Sequence, residues 1–201
     1  MTTGRTKLAG LLGRSFLPRF ARRGLPVLVY HRVSQLDRAA PGDPALVDAE
    51  PREFERHMEF LARTMTVIDE AQLLAAVGGA PLPEPAVLVT FDDGYADNVE
   101  IAVPILRRVG VPAMFFVATE YVERRALFWW DRLAHVFART VRTSFEIAYP
   151  FPCRFDLADD ARKRLSLDRA CRIIKGHYAL DLPRYLAEVE RAADAVLDTA
   201  E

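Results

Sequence analysis

Long apolar runs are missing from this chain of 201 residues, and no stretch is long enough to span a bilayer. The apolar positions near the start, Leu8, Leu11, Leu12, Phe16, Leu17 and Phe20, are interrupted by Arg14 and Arg19. That excludes the continuous apolar segment of a secretory leader. Cysteine is scarce: Cys153 and Cys171 have neither the density of a disulfide framework nor the CxxC spacing of a redox or metal motif. Reduced thiols in a cytoplasmic protein are the expectation. Acid is absent from Met1 to Gln35, where seven basic residues stand. The remainder holds 20 basic and 28 acidic residues, a net charge of −8 behind an overall −1. That balance argues against general nucleic-acid binding. The start is a basic arm, residues 1–24, whose interleaved apolar positions suit peripheral contact with an anionic membrane at its inner face, or a helix packed on the domain.

What is present is a core. With 51% hydrophobic and 27% charged residues the chain can fold as a globular α/β protein. Leu25 to His31 reads as a buried strand that delivers His31 at its C-terminal end, and Pro41 to Pro51 as loop. Phe54, Met58 and Leu61 recur at helical spacing. Thr66 to Asp69 is a short second strand, and Asp69 with Gln72 has the form of a capping box opening a helix over Glu70 to Val77. Val87 to Phe91 is strand three, then a helix from Ala96 to Val109 with Val99, Ala102, Val103 and Leu106 inward, then strand four over Pro112 to Val117. This alternation predicts parallel strands over residues 25–120. Beyond it, over 121–201, the rhythm changes to a mostly helical subdomain: helices at 128–139, 158–175 and 183–199, the last with Leu186, Val189, Ala193 and Val196 on one stripe, and an isolated strand at 144–149.

The chemistry concentrates in Thr90-Phe91-Asp92-Asp93-Gly94-Tyr95. Two adjacent carboxylates at the mouth of a buried strand are costly without a cation or a shared proton. In parallel α/β architectures functional groups gather at the C-terminal ends of strands. His31, Asp92 and Asp93 therefore open on one face. At a turn closed by Gly94 the pleat is lost, so both carboxylates can serve one pocket, one binding a divalent metal and the other taking a proton from water. The plain alternative is a helix cap, with Asp97 and Glu100 adding first-turn charge. Capping accounts for one aspartate, not two.

The segment VLVTFDDGYADNVEIAVPILRRVGVPAMFFVATEYV, with VLVYHRVS upstream and FWWDRL downstream, resembles the polysaccharide deacetylase family and its NodB-homology domain. The resemblance covers residues 25 to 131. It implies a partial, distorted (β/α) barrel with parallel strands, followed by a helical insertion. It also implies hydrolysis of acetyl groups on N-acetylated sugars, with an acetylated polysaccharide or lipid-linked glycan as partner. Carried onto this sequence, Asp92 would be the general base and Asp93 a ligand of a divalent metal, zinc by expectation. His31 and Tyr95 would line the pocket, His31 near the metal or hydrogen-bonded to a carboxylate.

The family also supplies two histidines from a HxxxH or HxxxxH motif and a later general-acid histidine. Here the four histidines, His31, His57, His135 and His177, include no such pair. The expected metal site is incomplete, which fits a truncated form of a longer enzyme or a non-catalytic remnant that binds glycan or a partner chain. His57 reads as structural or exposed, His135 as no metal ligand because it sits in a helix away from any second ligand, and His177 as favouring a helix end. Trp129 and Trp130 serve either as anchors of the insertion or as sugar-stacking surfaces.

Overall fold

The computed structural model describes residues 24–35 and 46–195. The basic arm lies outside them but for its last residue, as do Val196 and residues 41–45 of the segment from Pro41 to Pro51. The chain divides into two compact units, with the boundary between Arg124 and Arg125. None of the described helices is long and apolar enough to cross a membrane.

The first unit is built on a parallel sheet. Its central strand, β5 (Ala86–Phe91), is buried at every position. β1 (Val27–Tyr30) runs parallel along one side, Val27 opposite Leu88 and Tyr30 opposite Phe91. The other side is shared: β4 (Thr66–Val67) pairs with the start of β5, and β6 (Met114–Phe115) with its end. Strand three of the chain thus lies between strand one and strands two and four, an order different from the sequential neighbours of a closed barrel. A second, two-stranded parallel pair joins β2 (Arg32–Val33) to β3 (Val47–Ala49).

Side-chain alternation explains the core. Tyr30, Phe91 and Phe115 are in register on adjacent strands, so their rings point to one face and stack, 5.5 Å and 4.9 Å between centroids. Helix α1 (Pro51–Thr64) lays Phe54, Met58 and Leu61 on that face, all fully buried. Phe54 meets Tyr30 and Phe91 edge-on at 5.0 Å and 5.6 Å. Each such ring contributes roughly 1.5–3 kcal/mol by burial, and each pair about 0.5–1.5 kcal/mol more. The spacing of α1 and the Asp69–Gln72 capping box of α2 (Glu70–Val77) are both as the sequence predicts.

Four expectations need correction. β1 is buried on one face only: Leu28 and Tyr30 are inside, whereas Val27 and Val29 are exposed. The 47–49 stretch, expected as loop, is strand β3, because Val47 and Ala49 alternate inward around Asp48. Strand four contracts to Met114–Phe115. The fourth concerns the helix after the TFDDGY turn, which is not uniformly α. Asn98–Ala102 is a π-helical stretch leading into α3 (Val103–Val109), with the Val103 N–H bonded to the Asn98 carbonyl. Pro104 has no N–H to give and its ring crowds the carbonyl four residues back, so the turn widens by a residue. The inward face is re-phased: Asn98, Ala102, Ile105 and Leu106 are buried and Val99 is exposed. A short helix, α4 (Thr119–Arg124), ends the unit.

The second unit comprises α5 (Trp129–Arg139), α6 (Asp160–Gly176), α7 (Leu182–Ala193) and two strands. The strand expected to be isolated is half of an antiparallel hairpin, β7 (Ser144–Ile147) with β8 (Cys153–Asp156). Phe145 and Phe155 face each other across it at 5.1 Å and enclose Phe137 of α5 at 5.5 Å from each. Leu186, Val189 and Ala193 of α7, three of the four residues of the stripe read from the sequence, complete this core together with Tyr185. Both cysteines are free, Cys153 buried and Cys171 half-buried.

Candidate active site

The C-terminal ends of β1 and β5 lie side by side, because Tyr30 and Phe91 are in register and the Asp92 N–H donates to the Tyr30 carbonyl at 2.8 Å. The residues that follow, His31 from β1 and Asp92 and Asp93 from β5, therefore leave the sheet at one edge. The sequence order alone separates them by sixty residues. Parallel pairing removes that distance.

The carboxylate turn has a specific backbone. Asp93 and Gly94 both adopt left-handed conformations, φ 73° and 84°. Asp93 is thereby held in a region few non-glycine residues occupy, and a strained residue beside a candidate site is a pointer to function. Gly94 is required twice over, since an added Cβ would sit 2.7 Å from Val117 Cγ1 as well as carry the positive φ. The strand partner closes the turn: Phe116 N–H donates to the Phe91 carbonyl and Ala118 N–H to the Asp93 carbonyl. Asp92, Asp93 and Tyr95 are half-buried.

His31 has a partner that the sequence does not announce. Asp48 Oδ2, from β3, accepts the His31 backbone N–H at 2.6 Å and lies 3.4 Å from His31 Nδ1. Its hydrogen bond raises the His31 pKa above the ordinary value; partial burial opposes the shift, and the nearby charges of Asp48, Asp93 and Asp92 reinforce it. Protonated imidazole is thus favoured here. The only signal for Asp48 in the sequence was the Val-Asp-Ala alternation, three residues long.

Arg32 and Asp97 were also missed as site residues. Arg32 Nε donates to Asp97 Oδ2 at 2.8 Å, and its guanidinium carbon lies 4.8 Å from the Tyr95 ring centroid. Burial raises the Asp97 pKa, against the lowering effect of Arg32.

Of the other histidines, His57 belongs to the first unit and His135 and His177 to the second. His57 is buried, with Nδ1 3.0 Å from the Tyr30 hydroxyl. Burial pushes the Tyr30 phenol far above its ordinary pKa and lowers that of His57, so the phenol donates and neutral Nδ1 accepts. His177 Nδ1 bonds to the Ile173 carbonyl at 2.9 Å, at the end of α6. Trp129 packs on the core of the second unit and meets Trp130 edge-on at 5.2 Å, while Trp130 stacks on Phe128 at 4.6 Å. Among the described residues no group of three or more His, Cys, Asp or Glu is placed to hold a metal ion.

Residues 79–148 match the polysaccharide deacetylase family. Over 97 residues the chain is 38% identical to the Bacillus subtilis protein named "Putative polysaccharide deacetylase YxkH". That alignment covers 46% of this chain and 31% of the relative, so the chain spans about a third of its length. Among solved structures, a de-N-acetylase from Aggregatibacter actinomycetemcomitans is similar at 28% identity and a TM-score of 0.42, covering 49% of this chain and 39% of that one. IcaB from Ammonifex degensii is similar at 22% identity and a TM-score of 0.44, covering 85% and 80%.

Proposed function

We propose that this chain is a member of the polysaccharide deacetylase family, which its residues 79–148 match, and that it hydrolyses acetyl groups from the N-acetylated sugars of a polysaccharide or lipid-linked glycan. The observation that carries the reading is the meeting of His31, backed by Asp48, with Asp92 and Asp93 at one edge of the parallel sheet. Amide hydrolysis needs two proton movements: one away from the attacking water, one onto the departing nitrogen. Asp92 takes the first. His31 is the donor for the second, because Asp48 keeps its imidazole protonated above the ordinary range. Water's oxygen bonds to the acetyl carbon, the carbon–nitrogen bond breaks, and acetate and a free amine leave. Tyr95 lines the site as a half-buried wall.

A divalent cation, zinc by expectation, takes Asp93 as one ligand in this reading and would supply charge for the acetyl oxygen. Among the described residues no group of three or more His, Cys, Asp or Glu is placed to hold it. The parallel sheet is read as part of a distorted barrel, and the basic arm as a peripheral membrane contact. The incomplete donor set favours a second reading, a chain that holds glycan without turnover.

The test is acetate release from an N-acetylated chito-oligosaccharide by the full chain with added zinc, alongside zinc content by elemental analysis. Asp92→Asn should lower release by about 10²-fold or more, and Asp93→Ala should lose the bound zinc. Glycan binding without acetate from the parent chain selects the second reading.

A further inference from the structure

We propose that Arg32 is a positioning residue that fixes the spacing between His31 and the Asp92–Asp93 turn, an inference that rests on the deacetylase reading for its catalytic consequence. Between Asp92 and Asn98 the Gly94 N–H donates to the Asp92 carbonyl and the Asn98 N–H to the Tyr95 carbonyl, and two successive residues hold positive φ. The Phe116 and Ala118 N–H groups steady its β5 side. The side facing β1 is tied by the Asp92 N–H, which donates to the Tyr30 carbonyl, and by side chains.

Arg32 is the residue next to His31, on β2. Its guanidinium reaches across to Asp97, five residues after Asp92, and covers the Tyr95 ring between them. The pair is largely withdrawn from water, with side-chain exposures of 16% and 9%. A buried ion pair is weak evidence for stability, since desolvation offsets most of the attraction; its attested use is to fix register. Three further bonds converge on the junction. Val33 gives a backbone hydrogen bond to Asp97. The buried Asn98 amide, in the orientation that satisfies both partners, donates to Asp97 Oδ1 at 3.2 Å and to the His31 carbonyl at 3.0 Å. Asp97 and Asn98 thus hold both neighbours of the Arg32 backbone, and the π-helical stretch is what turns Asn98 inward to do so. A guanidinium suits the junction because one planar group donates along its edge and stacks through its face; an ammonium does only the former.

The experiment is residue-resolved amide hydrogen exchange on the 201-residue chain and on Arg32→Gln, Arg32→Lys and Asp97→Asn. Exchange at Gly94 and Asn98 should quicken at least tenfold in Arg32→Gln and Asp97→Asn, while Val89 and Phe91 in the core stay within twofold. Arg32→Lys keeps the charge and the stem, reports even where the other variants fold poorly, and should fall between. Unchanged turn amides, or turn and core amides quickening by one common factor, would overturn the proposal. Where the parent releases acetate, the same variants should lose kcat by tenfold or more with KM held within twofold; a KM effect alone also counts against positioning. A parent that releases no acetate refutes the deacetylase reading, and the exchange data still decide whether Arg32 holds the turn.

Discussion

Gly94→Ala isolates the strain stored in the carboxylate turn. At φ +84° an alanine bears a backbone penalty of about 1–2 kcal/mol. Its Cβ also falls 2.7 Å from Val117 Cγ1, 3.3 Å from Val117 Cβ and 3.4 Å from Val117 Cα. Val117 is 48% exposed, so its methyl can rotate away at about 0.5–1.5 kcal/mol, but its backbone cannot. Stiffening of the unfolded chain returns about 0.4–1 kcal/mol. The net expectation is a loss of roughly 2 kcal/mol, a factor of about 30 in the folded-to-unfolded ratio. Both tryptophans lie in the second unit, so fluorescence follows that unit, and the first is read by amide exchange at Val87, Val89 and Phe91. A double-mutant cycle with Val117→Ala separates the two costs. The second substitution should return the steric part, about 1 kcal/mol, and leave the dihedral part. Full restoration by Val117→Ala, or a Gly94→Ala loss below about 0.5 kcal/mol, would refute the argument that the turn conformation itself requires glycine.

Asp48→Asn removes the group that raises the His31 pKa. A raised histidine pKa stabilises the fold fully below the unfolded value of about 6.5 and loses that contribution as pH rises through the folded value. The His31 ring resonances should therefore titrate at lower pH in the variant, and the variant's stability deficit should be largest in mild acid; an unmoved midpoint would sink the Asp48 assignment. Tyr30→Phe deletes the donor to His57 Nδ1 in a fully buried position and should cost about 1–3 kcal/mol by core amide exchange. His57 shifts the other way, so stability should fall as pH drops through about 6.5; no acid sensitivity assignable to His57 would contradict its burial as a neutral ring. In the second unit Phe137→Ala opens the three-ring core and should cost about 3–5 kcal/mol, followed by tryptophan fluorescence in urea.

What the sequence by itself determined is what local chemistry specifies. Helical spacing set α1 and the stripe of α7, the Asp69–Gln72 pair set the start of α2, and TFDDGY at the end of an apolar run marked the turn and carried the resemblance to the polysaccharide deacetylases. Each of these signals is carried by residues within a few positions of one another. Only the tertiary structure decided which distant groups meet. Asp48 joins His31 through a strand three residues long, too short to outweigh its loop-like surroundings in a periodicity reading. Arg32 finds Asp97 across 65 positions because parallel pairing aligns the ends of β1 and β5. The re-phasing of the helix after the turn follows from one proline's missing N–H acting on a carbonyl four residues earlier. The placement of β5 between β1 and the shared β4–β6 side follows from the pairing itself, which no local pattern specifies. Residue types fix what a site can do chemically, but distances between its groups depend on long-range pairing and packing.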